Sequence, residues 1–435
     1  MGEDPQRWSR YPFDLVSGDS QFRFPAAEGE HPDHESDTWF LAGDLTGRSG
    51  RRFAFLTIVN KNRPGRAVVA DFYTFALFDL DSGTYGTYTD YDMPPANIGA
   101  SPKLSAAQGH LDIDYQSSAG AAVWRSRGAP YTYDVALAGI DGAGKAMSLR
   151  LNVTPTRAPV PVGASVYNGK ISCFGQDDTY SYFQTGMTMT GTLQWGDVDE
   201  TVSGSAGHID RQWFPRYAGG GGTGGDPRAR SHEWRTIHLD NGMDLSIWRQ
   251  FDRTNRNGLQ PFSGVTTSSS TGPPQCFEDV EVDVTSYVRW PEDVCPLVPP
   301  LAEARYMPDR HRISSRELDF ELTGEPLVAA PAHALPIEYM EGPYRYDGTM
   351  DGKPVHGFGF YERSLALYRD WELVDVLATA THVRGLRRLI DAGCTEDAVA
   401  WLAEVDATTR EVAVLVDDVI GALRRTGHEG HRESR

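Results

Sequence analysis

Cysteine is scarce: four in 435 residues, at positions 173, 276, 295 and 394, with no C-x-x-C pair. That spacing excludes a disulfide framework and the usual zinc and thiol-redox motifs, and the thiols read as buried and free. Nothing in the pattern supports a Cys276–Cys295 bridge. Apolar runs near the ~18 residues of a membrane span are also missing. The opening MGEDPQRWSRYPFD has no apolar segment of the secretory kind, and Gly2 lacks the Ser or Thr of a myristoylation signal, so a cytoplasmic location is expected. Cations are outnumbered, 41 Lys and Arg against 60 Asp and Glu, for a formal net charge of −19. A surface that acidic repels nucleic acid and anionic lipid. GGGGTGG (219–225) has no following Lys-Ser/Thr and is not a phosphate loop, and no G-x-S-x-G sits at a strand–helix junction. HPDH (31–34) carries a proline between its histidines and reads as a solvated loop, while SHEW (231–234) lacks the second His of a zinc-protease helix. No metal and no organic cofactor is therefore expected.

What is present is a folded chain, 40% hydrophobic and 23% charged, long enough for two cores. From about 36 to 363 it alternates in short segments. Phe53, Phe55, Thr57 and Val59 share one face, as do Met187, Met189, Gly191, Leu193 and Trp195, and Val280, Val282 and Val284. HEWRTIHLDNGMDLSIWRQF reads as a hairpin turning on Asn241-Gly242, and a two-residue loop there would set Trp234 opposite Arg249 and Arg235 opposite Trp248. The stretches 252–274 and 291–308 read as long irregular connections of the kind that lie over a site. Beyond Ser364 the apolar period changes to three and four residues without proline, predicting two or three amphipathic helices over 365–425, the last opened by a Thr408/Glu411 capping box. Their expected role is to form a homodimer. The tail HEGHRESR reads as frayed.

Five segments in order, SDTWFLAGDL (36–45), YSYFQTGMTMTGTL (180–193), SGSAGHIDRQWF (203–214), EWRTIHLDNGMDLSIW (233–248) and EGPYRYDG…HGFGFYE (341–362), resemble the two-domain lipocalin-like proteins that include carotenoid 1,2-hydratases, related hydratases and decalin-forming Diels–Alderases. The resemblance implies a mainly β fold of two lipocalin/calycin-like antiparallel β-barrels, 1–195 and 196–363, with an α-helical extension at 364–435 that the family pattern does not include. It also implies a ligand cavity between or within the barrels. The departures are local. His208 stands where the family motif has Trp and Arg211 where it has His, whereas Asp210, Gln212 and Trp213 match. Asp37 is the acid of the early motif, Thr38 replaces one of its Trp residues, and Gln184 stands where Ser is common.

These positions supply the candidate site. Asp210 would donate or accept a proton if burial raised its pKa, although it would stay ionised beside a guanidinium; residues 210 and 211 of a strand point to opposite faces. Arg211 and Gln212 offer donors that would polarise a substrate carbonyl. Trp39, Trp124, Trp213, Trp234 and Trp248, with Asp37, Tyr182, Gln184, Tyr361 and Glu362, would line a pocket for a large hydrophobic molecule, or else fill barrel cores. The glycines of GFGFYE suit close backbone approach. GGGGTGG, just past Trp213, would hinge a lid. Two reactions need no more than this: [4+2] cyclisation of a polyene or polyketide, the reading preferred because Arg replaces the motif His, and addition of water to a double bond. A carrier that only sequesters an apolar metabolite is the third reading.

Overall fold

The computed structural model describes residues 7–62, 71–92, 103–127, 132–173, 176–215, 228–297, 300–380 and 410–429. The glycine-rich stretch at 219–225, Thr408, residues 381–409 of the expected helical region and the end of the tail lie outside these residues.

A strand that is covered on both sides needs apolar residues at every position rather than at alternate ones. FAFLTIV does this within β2 (Arg52–Asn62), which pairs antiparallel with β1 (Ser36–Gly47) on one edge and β3 (Asp71–Asp79) on the other. Phe53, Phe55 and Val59 face one core with Trp39 and Leu41 of β1; Ala54, Leu56 and Ile58 face a second with Phe40 and Ala42. Met187–Trp195 buries Met187, Met189 and Leu193 and exposes the threonines between them, so only one side of that strand is covered. The two patterns show where the domains meet.

Two large curled sheets result, one built between Ser36 and Phe214 and the other between Arg230 and Ser364, each wrapped around its own apolar core. The chain is mainly β, in the two-barrel lipocalin-like arrangement expected from the sequence. The first sheet runs past residue 195: Val198–Gly204 pairs with Met187–Trp195, and β5 (Gly207–Phe214) lies between β1 and β4 (Gln176–Gln184). The Asp210–Trp213 cluster is therefore a wall of the first sheet. In the second sheet, β6 (Arg230–Leu239) is flanked by β7 (Met243–Asp252) and β9 (Lys353–Ser364), and β9 pairs in turn with β8 (Tyr339–Met350).

The outer faces of the two sheets pack on one another. Phe40, Ala42, Leu56, Ile58, Phe183 and Phe214 from the first meet Trp234, Trp248, Phe262 and Phe360 from the second. Polar links cross the same junction: Arg157 to Asp244 at 2.7 Å, Thr185 to Ser268 at 3.1 Å, and Thr87 to His333 at 2.9 Å. Close approach within the second sheet has a visible cause at Gly359, where an added Cβ would sit 1.9 Å from the carbonyl oxygen of Thr236.

Three expectations need correction. The hairpin register is one residue off, with Trp234 opposite Trp248 and Arg235 opposite Ile247. The reason is a three-residue turn in which Gly242 alone takes positive φ (84°) and its N–H bonds Leu239. Within 252–274, Gly264–Ser269 pairs with β7 as a strand. The thiols also differ from expectation: Cys276 is half-buried and Cys295 exposed, both unpaired, while Cys394 and the side chain of Cys173 lie outside the described residues. Two helices are described beyond the strands, α1 (Asp370–Ala380) and α2 (Arg410–Glu429). They share an apolar cluster with Tyr306 and Leu367, and Tyr306 bonds Asp418 at 2.7 Å. No helix among the described residues is long and apolar enough to cross a membrane.

The segment before β1 closes one end of the first barrel. The Trp39 indole N–H donates to the Glu28 carbonyl at 2.8 Å, and Tyr133 donates to the Glu28 carboxylate at 2.6 Å. Arg211 ties this segment to the sheet: its guanidinium pairs with Asp37 at 2.7 Å, donates to the carbonyls of Gly29, Thr38 and Gln212, and lies 4.1 Å over the Trp39 ring. His31 stacks on Trp213 at 4.1 Å and reaches Asp37 at 2.9 Å, so the histidines of HPDH are packed against this plug rather than solvated, while Pro32 and Asp33 are exposed. Burial holds His31 neutral, with its pKa lowered to about 4. Because both members of the Arg211–Asp37 pair are fully covered, deleting one strands the other. Arg211→Met is expected to cost about 3–5 kcal/mol in urea unfolding, and Asp37→Leu combined with Arg211→Met to recover a large part of that loss.

Candidate functional site

Alternation along β5 decides which side chains meet the second domain. Ile209 and Arg211 point into the first barrel; His208, Asp210 and Gln212 point out of it toward the second sheet. Asp210 lies in a rung between Phe183 of β4 and Phe40 of β1. The facing rung of the second sheet reads Trp248, Trp234, Glu362, Glu341 across β7, β6, β9 and β8. Aromatic rings join the two walls, with Phe40 5.6 Å from Trp234, and His208 5.1 Å from Trp234 and 5.8 Å from Phe360.

Three carboxyls meet in this apolar seam without a Lys or Arg on any of them among the described ion pairs. Asp210 accepts hydrogen bonds from the Gln212 amide at 2.9 Å and from the Arg211 backbone N–H. Burial, and then the charge of Glu362, push its pKa up to about 8, against the weaker opposing pull of Gln212 and Arg211. Glu341 is fully buried and neither of its oxygens has a hydrogen-bond partner among the described residues. Burial, Glu362 and Asp210 together hold its carboxyl well above the usual carboxylate range. Glu362 shares a short hydrogen bond with Nε2 of His232, and Tyr339 bonds it as well. Ser364 lies 2.9 Å from Nδ1 of His232; a hydroxyl donating there fixes the tautomer with its proton on Nε2, toward Glu362. His208 is neutral, its pKa lowered by burial and by His238, and both its ring nitrogens are unpartnered.

Chemically this is an apolar junction with buried carboxyls at its centre. It holds a carboxyl protonated at neutral pH, a second one nearby, and a His–Glu pair able to take up or return a proton. No group of three metal-binding side chains occurs among the described residues.

Of the residues singled out from sequence, Asp210, Gln212, Trp234, Trp248 and Glu362 come together here. Asp37, Trp39, Arg211 and Trp213 form the plug network at the end of the first barrel, with Tyr182 beside Trp213 and Phe24. Trp124 belongs to the first barrel's core, and Gln184 donates to the Arg157 carbonyl at 2.8 Å and neighbours Tyr133. Tyr361 points into the second barrel, where the Arg235 guanidinium lies 4.2 Å over its ring. Sequence reasoning missed Glu341, His232 and Tyr339. Glu341 opens the quoted EGPYRYDG segment, and its place on the rung of Glu362 follows once β8 and β9 are paired.

A family model described as AttH-like matches residues 15–363. The chain belongs to the AttH-like family. Among solved structures it is similar to an AttH protein of Nitrosomonas europaea, with 19% identity and a TM-score of 0.59 over 81% of this chain and 99% of that one. It is also similar to kievitone hydratase of Nectria haematococca, with 12% identity and a TM-score of 0.56 over 82% of this chain and 98% of that one. Both likenesses concern the fold. Among curated proteins none matches this sequence. The matched region ends at β9, so the helices α1 and α2 lie outside what the family model covers.

A carboxyl whose folded pKa exceeds its unfolded value binds a proton more tightly when folded. Its contribution to stability is complete below the unfolded value of 3.8 and is lost as pH rises through about 8. Asp210→Asn, which has no charge to bury, is therefore expected to gain in Tm relative to the parent protein as pH is raised from 4 to 8, and to show no gain at pH 4. Melting curves across that range check it; a constant difference would mean that Asp210 is ionised in the folded protein.

Proposed function

We propose that the seam between the two sheets adds water to, or removes it from, an electron-rich double bond of a large apolar molecule, with Asp210 as the acid. The observation that carries this reading is a fully buried carboxyl whose pKa is raised to about 8 among aromatic rings. The neutral Asp210 carboxyl gives its proton to one alkene carbon. The π faces of Phe40, Trp234 and Phe360 flank the slot in which the cation forms at the other carbon. Water attacks that carbon, and its spare proton returns to the Asp210 carboxylate directly or by way of Glu341 and the His232–Glu362 pair. One water is consumed and the acid is regenerated. The reverse sequence is dehydration. That a solved structure of similar fold is a hydratase agrees with this reading.

Cyclisation of the [4+2] type, the reading preferred from sequence, relied on Arg211 to polarise a carbonyl. With Arg211 turned into the plug, the donors left in the seam are Gln212 and the neutral carboxyls. They would serve a carbonyl less strongly than a guanidinium, so hydration ranks first.

Incubating the protein with a prenylated or linear polyene compound in oxygen-18 water tests the proposal. Label in a product heavier by one water supports it; an isomer of unchanged mass would favour cyclisation, and recovery of unaltered ligand a carrier. Asp210→Asn is expected to lower kcat by roughly 10²–10⁴-fold, the span typical of a lost general acid, with little change in KM. Activity of the parent is expected to fall as pH rises through about 8, where the acid is spent.

A further inference from the structure

The strands that present Trp234 and Glu362 to the seam carry a second constellation on their other face. Glu233 and Arg235 of β6, Arg249 of β7 and Arg363 of β9 point into the second barrel, where Glu233 lies in register with both Arg249 and Arg363. All three arginines converge on that single carboxylate. Arg235 meets it at 2.9 Å, Arg363 at 2.9 Å and Arg249 at 3.5 Å. Arg235, Arg363 and Glu233 are buried to within 3% of complete, and Arg249 keeps 13% of its side chain in contact with solvent.

The charges do not balance. Among the described residues Glu233 is the one carboxylate ion-paired with these guanidiniums, so three positive charges face one negative one. The donors do not balance either. Among the described residues, Nη2 of Arg235, Nε of Arg249, Nε of Arg363 and the hydroxyls of Tyr346 and Tyr361 are buried without hydrogen-bond partners. His311 takes up one further donor, Nε of Arg235, at 3.3 Å, and burial beside Arg235 keeps it neutral. Stacking on Tyr361 (4.2 Å) and on Phe251 (4.6 Å for Arg363, 5.2 Å for Arg249) shields the guanidinium faces and leaves their edges to bond. Buried charge without a counter-charge is costly, and several such donors at one barrel end are not a packing necessity: an apolar core of equal volume would be more stable.

We infer that the end of the second barrel binds an oxyanion, held between Arg235, Arg249 and Arg363 with the Tyr346 and Tyr361 hydroxyls as neutral donors. The planar donors suit a carboxylate or a phosphate. The route in passes Arg249, the most exposed guanidinium of the set among the described residues. This site is separate from the Asp210 seam and stands whether or not the seam hydrates anything. Two sources have this chemistry, free inorganic phosphate and the acidic end of a long apolar acid whose chain would follow Ile237, Leu245 and Ile247 into the barrel.

Melting temperatures of the full chain test the assignment, in chloride, phosphate or laurate at matched ionic strength, for the parent, Arg249→Gln and Glu233→Gln. A saturable rise with phosphate identifies a free anion, and a rise with laurate alone identifies the head of an apolar acid. In either case Arg249→Gln is expected to bind about tenfold or more weakly, the cost of one charge-assisted hydrogen bond. Glu233→Gln, which removes the internal competitor, is expected to bind more tightly than the parent. That gain is the readout a merely structural cluster would not give, and it keeps the test open if Arg249→Gln fails to fold. No rise with either anion in both the parent and Glu233→Gln would overturn the inference, as would a rise that Arg249→Gln retains in full.

Discussion

Desolvation of three carboxyls at the junction of two sheets is the constraint on which the rest depends. Each barrel could be soluble alone only if its outer face were polar, yet β1, β2 and β5 of the first sheet and β6, β7 and β9 of the second turn apolar and aromatic residues outward. Stacking those faces removes water from everything between them, including Asp210, Glu341 and Glu362. A carboxylate in such a place needs a cation or several donors. Glu362 has His232 and Tyr339, Asp210 has the Gln212 amide and the Arg211 backbone N–H, and Glu341 has none among the described residues. For Asp210 and Glu341 protonation is the response that the surroundings impose, and a proton held ready among apolar groups is what addition to a double bond requires.

The arginines next to these carboxyls and to Trp234 in sequence are turned away from them. Arg211, next to Asp210 in sequence, points through the sheet and is used up on Asp37 and three carbonyls. Arg235 and Arg363, flanking Trp234 and Glu362, point into the second barrel in the same way. Period-two alternation thus separates two electrostatic regimes by the thickness of one sheet: carboxyls without Lys or Arg partners on the outer face, guanidiniums on the inner.

How much of this the sequence discloses follows from the same geometry. Period-two patterns announced the strands, and the resemblance to the lipocalin-like proteins the two-barrel architecture. Asp210, Gln212, Trp234, Trp248 and Glu362 were legible as chemistry-bearing positions. What alternation does not say is which of two faces becomes a barrel interior and which a domain junction, because β2 and β5 bury both. Arg211, which alternation sets on the face opposite Asp210, was grouped with it in the candidate site and lies behind it in the plug. The turn at Asn241-Gly242 cost one residue of register, enough to pair Trp234 with Trp248 in place of Arg249. Glu341 stayed hidden for a different reason: its importance comes from what lies across the sheet and across the seam, and neither is near it in sequence.

The central claim is that Asp210 is an uncharged acid at neutral pH. Titrating carbon-13 carboxyl-labelled aspartate by NMR, with Asp210→Asn to assign the resonance, measures this without a substrate. The account predicts a midpoint near 8 and a protonated chemical shift at pH 7. A midpoint near the ordinary aspartate value of about 4 would contradict it, and with it the proposed chemistry of the seam.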